Sequence, residues 1–385
     1  MFEMIKKKEN RRWGKLKTNH GEIKSPFFMP DATRGFVRSL SQRDLEETGI
    51  GPMVVNTYHL YLKPGMELIK KSGGIHGFMN YNQPLLSDSG GYQVFSLIHK
   101  NSKMGKITEN EVIFRSSLDG SKHILTPEKA IQIQFDLGVD MMVCLDDPPP
   151  NNYSKEKIKR AVERTIRWAK RCKDEYSRQV ESRKLKDENR PLIFGVVQGG
   201  EYLDLREYCA QGLIKIGFDG YGFGARHIDE DGNIMEEVLE KTASFIPEGS
   251  LRFALGIGTP EDIVKCVSFG WDMFDCVIPT REGRHGRLFI RKNLNSQIST
   301  RKSEFYETIN INNEKYKSDF SKVDENCDCE MCRNYSKAYM RYLFSQKEPM
   351  AMRLASKHNL KFYADLMKEL RNDNYFYPKK NVTRK

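Results

Sequence analysis

The chain has 385 residues, room for one large core with appendages, because barrel folds routinely use about 250 residues around a single core. A formal net charge of +11 and a pI near 9.1 favour a polyanionic partner, with nucleic acid first among the classes, and argue against a neutral one. The basic N-terminus MFEMIKKKENRRWGK has no apolar h-region and no apolar stretch is long enough to span a bilayer, so the reading is a soluble, cytoplasmic protein with no membrane partner.

Apolar runs bounded by Gly, Pro or Asp give eight predicted strands: Phe27 to Pro30, Met53 to Thr57, Leu85 to Ser87, Met141 to Leu145, Leu192 to Val197, Tyr221 to Gly224, Arg252 to Gly256 and Met273 to Ile278. Helical patterns follow most of them, over Ser39 to Gly49, Pro64 to Gly74, Thr126 to Gly138, Ser154 to Gln179, Leu203 to Gly217, Gly232 to Phe245 and Thr259 to Gly270. Two of these helices open alike, Thr126-Pro127-Glu128 and Thr259-Pro260-Glu261, with a Thr N-cap, Pro at the first helical position and an acid in the first turn. Each then ends at a glycine, Gly138 or Gly270, ahead of a strand. Eight strands alternating with helices predict an α/β fold, a (β/α)8 TIM barrel. The polar stretch from Gln93 to His123 breaks the rhythm and reads as an inserted lobe or hairpin.

The predicted strand ends carry a specific polar set: Asp31, Tyr58 and His59, Asp88 and Ser89, Asp146 and Asp147, Gln198, and Asp275 within the eighth run. In a (β/α)8 barrel these ends line one mouth, so the set should converge there. An acid inside the apolar run Met273 to Ile278 is costly to bury without partners or a task. Directly beyond it come Arg281, Arg284, Arg287 and Arg291, spaced by Gly283 and Gly286, which read as a flexible cationic lip suited to phosphate oxygens. Two carboxylates at one mouth fit displacement at an anomeric carbon, where one traps an oxocarbenium-like centre and the other handles the leaving-group proton.

Four stretches, Leu86-Ser87-Asp88-Ser89-Gly90-Gly91-Tyr92-Gln93, Val196-Val197-Gln198-Gly199-Gly200, Gly256-Ile257-Gly258 and Phe274-Asp275-Cys276-Val277-Ile278-Pro279-Thr280-Arg281, resemble motifs of the tRNA-guanine transglycosylases, the queuosine-inserting enzymes. With the cysteine cluster near the C-terminus, the likeness runs from about Trp13 to Tyr363. That family joins a (β/α)8 barrel to a zinc subdomain and exchanges guanine at the tRNA wobble position for a 7-deazaguanine, and the resemblance implies the same here. It implies Asp275 as nucleophile and Asp88 as general acid/base. It also implies Ser89, Asp146, Gln198, Gly224 and Ala225 around the purine edges, with Tyr92 and Leu255 on its two faces. By the same likeness the partners are tRNA, guanine and a 7-deazaguanine base, either 7-aminomethyl-7-deazaguanine or queuine. Arg281, Arg284 and Arg287 would touch tRNA, and the protein would be a homodimer. The chain departs from the usual bacterial pattern at Gly224-Ala225-Arg226-His227-Ile228-Asp229-Glu230 and at Pro148, both beside the base pocket. Glu230 aligns with the acid that supports aminomethyl recognition in relatives.

Cys327, Cys329 and Cys332 lie within six residues of one another, a spacing that in a reducing compartment belongs to a metal site rather than a disulfide framework. His358 on a later helix matches the family's fourth ligand, giving a closed structural zinc site. The other five cysteines are scattered through core elements. The domain reading is a barrel over 1–290, a zinc-binding insertion with its helices over 291–363, and a helix end with a basic tail over 364–385. The alternatives are a relative that inserts the base into DNA, a non-catalytic tRNA-binding paralogue and a sugar hydrolase on the same barrel; retention of Asp88 and Asp275 opposes the second, and the arginine lip opposes the third.

Overall fold

Apolar residues alternate between two destinations along each short parallel strand, and this alternation builds the molecule. The computed structural model describes residues 1–150, 152–292 and 305–372. The barrel strands are Phe27–Pro30, Met53–Asn56, Leu85–Asp88, Met141–Val143, Leu192–Val197, Gly220–Phe223, Leu251–Ala254 and Met273–Cys276. All neighbours pair in parallel, the first strand with the eighth and onward round the sheet to the second. A parallel bridge between Asp31 and Val54 closes the ring. Phe27, Met29, Leu86, Val143, Phe194 and Phe253 fill the interior, while Phe28, Val55, Met142, Ile193 and Phe274 turn outward into the shell of helices, the two-sided burial expected of a parallel barrel.

The predicted helices form at Gln42–Thr48, Met66–Lys71, Pro127–Leu137, Lys155–Ser182, Leu203–Ile216, Glu236–Phe245 and Pro260–Phe269. Both Thr-Pro-Glu starts are realised, with Thr126 and Thr259 accepting from the backbone N–H three residues on, and Gly138 and Gly270 closing their helices in the left-handed conformation. No helix among the described residues is long and apolar enough to cross a membrane.

Two segments differ from the sequence reading, and a third, the N-terminus, adds a sheet for which that reading gave no element. The basic N-terminus folds as an antiparallel sheet, Phe2–Lys8, Arg11–Thr18 and Gly21–Ser25, whose Leu16 and Ile23 plug the barrel interior from below. The interrupting segment begins with a helix, Gly91–Lys100, and only then becomes the antiparallel lobe Gly105–Ile107, Val112–Arg115 and Lys122–Leu125. The lip after the eighth strand is a helix, Ile278–Arg284, started by Pro279, so the strand ends at Cys276. Gly283 serves close approach rather than flexibility, since a Cβ there would lie 2.8 Å from the Ser356 backbone on the helix crossing it.

That crossing helix, Pro349–Leu370, ties the C-terminal part to the barrel and runs through position 363, where the sequence reading drew a boundary. Asn359 donates to the Pro279 and Arg287 carbonyls and accepts from Phe289 N–H, while Tyr363 donates to the Gly258 carbonyl. The hairpin Arg287–Arg291 with Tyr306–Asn310 and the short helices Glu330–Asn334 and Lys337–Ser345 complete this part. Glu330 pairs with Arg353 and Lys357, which also pair with Asp44 of the helix Gln42–Thr48, fastening the two parts together. The basic tail Lys379 to Lys385 lies outside the described residues.

Candidate active site

At the C-terminal ends of the strands a cavity of about 320 Å³ is lined by Asp88, Ser89, Tyr92, Asp146, Gln198, Gly224, Ala225, Leu255 and Asp275. The strands put them there: Asp88 ends the third, Gln198 follows the fifth, Gly224 follows the sixth and Asp275 lies one residue from the end of the eighth. Every residue expected at the base pocket therefore faces one space.

Register sets Asp88 opposite Asn56, and the Asn56 amide donates to it at 2.5 Å. Its other oxygen accepts from Thr57 N–H at 3.2 Å and Gly90 N–H at 3.0 Å. Asp275 accepts one bond, from Gly256 N–H at 2.9 Å. Asp146, nearly fully buried, accepts from the Gln198 amide at 2.6 Å. Burial raises all three carboxyls to about 7; nearby Asp275 adds to the rise at Asp88, Asp147 adds to it at Asp146, and Asp31 adds to it at Asp275. None of the three has a cation paired with it among the described residues, whereas Asp147 turns away from the cavity to pair with Arg164. Carboxyls raised toward neutral pH in one cavity are suited to proton transfer, and one that is ionised can act as a nucleophile.

The walls fit a flat ring. Tyr92, 67% exposed in the first turn of its helix, and Leu255 offer apolar surface at the rim. Gly224 cannot carry a side chain, since a Cβ would lie 2.3 Å from the Gln198 amide nitrogen. Ala225 follows at φ 69°, the left-handed region that costs a non-glycine residue roughly 1 kcal/mol. The Gln198 carbonyl oxygen is buried without a partner, an acceptor that a ligand N–H would satisfy.

Not all of the strand-end set converges. Tyr58 packs on Phe114 of the antiparallel lobe with its hydroxyl buried and unpaired. Asp31 and His59 line an adjoining cavity of about 240 Å³ together with Arg34, Arg38 and Arg284. Among the described residues these three arginines are in no ion pair, so this concave surface is open to an anion. Arg34 and Arg38 were missed in the sequence; their signal was a pair of arginines four apart, just past a strand end. Of the predicted lip, Arg284 faces this cavity, Arg281 and Arg287 each approach Glu282 at 3.5 Å, and Arg291 is nearly buried against Glu369 at 2.6 Å, so Arg291 is not part of a lip.

In the C-terminal part, His358 Nδ1 lies 3.5, 3.5 and 3.4 Å from the sulfurs of Cys327, Cys329 and Cys332. A tetrahedral zinc with Zn–S of about 2.3 Å and Zn–N of about 2.0 Å has S···N edges of about 3.5 Å, so the four atoms fit an ion of that size with no open position. His358 Nε2 is 2.8 Å from the Phe289 carbonyl, which fixes the ring and leaves Nδ1 free to ligate. A second group, His20, His76 and Asp140, is not so arranged: its two imidazoles stack at 3.6 Å and 13°, and one ion cannot lie in two parallel ring planes.

A family model described as Queuine tRNA-ribosyltransferase matches residues 7–373. The chain is 42% identical over 372 residues to the queuine tRNA-ribosyltransferase of Halothermothrix orenii, covering 96% of this chain and 92% of that protein. It is 43% identical over 373 residues to the protein of that name from Listeria welshimeri, with 96% and 91% covered. The Francisella tularensis subsp. novicida protein of the same name is 41% identical over 370 residues, with 96% and 93% covered.

Proposed function

The chain belongs to the queuine tRNA-ribosyltransferase family, and from that premise we propose that it exchanges guanine at the wobble position of tRNA for a 7-deazaguanine, 7-aminomethyl-7-deazaguanine or queuine, by double displacement. The observation that carries this reading is the pair of raised carboxylates, Asp88 and Asp275, in no ion pair among the described residues and lining one cavity of about 320 Å³.

Asp275 attacks the ribose C1′; the glycosidic C–N bond breaks and guanine leaves with its electron pair, taking a proton at the ring nitrogen from Asp88. The incoming base gives its ring N–H proton to Asp88, attacks C1′ and expels the Asp275 carboxylate, so configuration is retained overall. Both groups sit near 7 and within electrostatic reach of each other, so one proton shared across the pair suits the acid and the nucleophile at neutral pH. Asp146 and Gln198 read the edge of the purine bearing N1, N2 and O6, while Tyr92 and Leu255 cover its faces. The ribose side then meets Asp275, and the flanking phosphates meet Arg284 with Arg34 and Arg38. Arg281 and Arg287 can release Glu282 for the same polyanion.

Zinc is the ion we assign to Cys327, Cys329, Cys332 and His358. It supplies no chemistry to the exchange and braces the hairpin against the helix Pro349–Leu370. Elemental analysis of chelator-free protein should find close to one zinc per chain, and much less would count against the site. The family likeness also supports a homodimer, for which the exposed Tyr339 and Tyr342 offer apolar surface; light scattering at micromolar protein tests it. For the activity, the protein is incubated with radiolabelled guanine and either bulk tRNA or DNA, followed by denaturing electrophoresis. Label should enter tRNA, and a covalent protein–tRNA band should survive denaturation. Label entering only DNA would replace the substrate, and no label in either would remove the proposal.

A further inference from the structure

Behind the cavity lies a charge that the proposed exchange leaves without a task. Arg206, in the first turn of the helix Leu203–Ile216, is fully buried, and no carboxylate is paired with it among the described residues. Burial pulls its guanidinium down to about 9. The guanidinium carbon lies 3.8 Å from the centre of the Phe223 ring. Nε donates to the Gly200 carbonyl at 2.7 Å, Nη1 to the Val197 carbonyl at 3.2 Å and Nη2 to the Gly224 carbonyl at 3.2 Å. A cation buried without an acid is costly, whereas an apolar side chain of that volume would fill the space without the cost, so packing alone does not explain this residue.

The three carbonyls bracket two of the residues that line the cavity. Val197 and Gly200 stand on either side of Gln198 along the chain, and Gly224 follows the sixth strand. The Val197 carbonyl also accepts from Gly224 N–H at 2.9 Å, so the ends of the fifth and sixth strands meet at the guanidinium. The turn between them is moulded on the arginine: a Cβ on Gly199 would lie 2.6 Å from Arg206 Cγ and 2.7 Å from its backbone nitrogen. Gln198 N–H donates to the Cys209 sulfur at 3.3 Å, a weak acceptor on the same helix. The Gln198 amide is packed so closely on Gly224 that a shift of either displaces the other. A planar fork of five donors fixes the directions of three carbonyls at once, which a single ammonium cannot do.

Resting on the proposed exchange at this cavity, we infer that Arg206 is a positioning residue: its guanidinium clamps the Val197, Gly200 and Gly224 carbonyls so that Gln198 and the Gly224–Ala225 peptide keep their places around the bound base. It touches no substrate and acts through those two neighbours.

The experiment compares wild type with Arg206→Lys, which keeps the charge and loses the fork, and Arg206→Met, which keeps the volume and loses both. Each is assayed for incorporation of radiolabelled guanine into tRNA and for backbone hydrogen exchange by mass spectrometry. Both variants should raise the KM for guanine by about tenfold or more, with kcat within about threefold and tRNA affinity within about twofold of wild type. Hydrogen exchange should quicken about tenfold or more over 197–201 and 223–226 and change less than about twofold in the floor strands Phe2–Lys8 and Arg11–Thr18. A role in packing alone would instead quicken exchange at mouth and floor together and leave the guanine KM of the folded protein unchanged. The inference is overturned by that pattern, or if either variant keeps a guanine KM within about twofold of wild type. Should neither variant fold, wild type decides: with the clamp in place, 198–201 exchanges as slowly as the barrel strands, and exchange as fast as that of the exposed turn at 230–232 overturns the inference. Failure of wild type to incorporate guanine is a different result: it removes the proposed function and the inference with it.

Discussion

The two ends of the barrel bury the same kinds of charged group and differ in what stands beside them. At the floor Asp140 has His76 Nε2 at 3.3 Å, Leu85 N–H at 2.9 Å and His20 Nδ1 at 2.9 Å, and against the burial that opposes them these neighbours, His76 first, hold its carboxyl below the usual range. Asp272, also at the floor, accepts from Arg252 N–H with the Arg12 guanidinium 3.4 Å away, although burial still raises its carboxyl to about 6. At the mouth, among the described residues, Asp88, Asp146 and Asp275 have no paired cation, and the arginines of the adjoining cavity have no paired acid. A barrel that sets its buried acids beside Arg and His side chains at one end, and among the described residues leaves acids and arginines in no ion pair at the other, has kept the second end for a ligand that carries phosphate and exchanges protons.

The sharpest way to break this comparison is to neutralise Asp275. Asp275→Asn should abolish guanine exchange and the covalent protein–tRNA band, while leaving tRNA affinity within a few fold, because phosphate contacts supply most of the attraction. Retention of the band in this variant and its loss in Asp88→Asn would reverse the two roles. Asp88→Asn keeps the bonds from the backbone N–H groups but cannot carry a proton, so turnover should fall by roughly a hundredfold or more. Wild-type exchange rates in both would end the assignment.

A smaller effect separates the mouth arginines from one another. Arg34→Ala and Arg284→Ala should each weaken tRNA binding by about tenfold near physiological salt and lower the slope of log affinity against log salt by about one. Arg287→Ala should do less, because that side chain already approaches Glu282. Equal losses at all three positions would mean that the second cavity is not the anion site.

The sequence showed the mouth better than the floor, for physical reasons. The strands were legible because each is a short apolar run, and the mouth was legible because polar residues follow those runs at the same structural position. Asp88, Asp146, Gln198 and Asp275 stood out for that reason. The floor was hidden because its sheet is built from strands such as Phe2–Lys8, mostly exposed and rich in lysine, which look like a charged tail until the barrel gives them something to cap. The helix Ile278–Arg284 was hidden by its own Pro and Gly, which signal flexibility locally but here start a helix and allow a close crossing. Arg34 and Arg38 were hidden because their partner, Arg284, lies some 250 positions away along the chain. Only closure of the barrel between the first and eighth strands brings them together.

The smallest effect tests the comparison through stability, where the two ends should have opposite signs. Asp275 is raised to about 7 from an ordinary value near 3.8, so between roughly pH 4 and 7 the folded chain holds a proton the unfolded chain has released. Stability from this group therefore falls as pH rises through that window, and the cost is complete above pH 7. Asp275→Asn removes the cost, so its Tm should exceed that of wild type by a few degrees at pH 8, and the gain should vanish by about pH 4. Asp140 is lowered, so it contributes stability above its unfolded value that is lost as pH falls through its folded one. Asp140→Asn leaves donors facing an amide and should cost about 1–3 kcal/mol at pH 8, a fall of several degrees in Tm, with the deficit shrinking in acid. Thermal unfolding of both variants and wild type from pH 4 to 8 measures the two slopes. Slopes of the same sign would mean that Asp275 is as well satisfied as Asp140, and that the mouth has not been kept unsatisfied for a substrate.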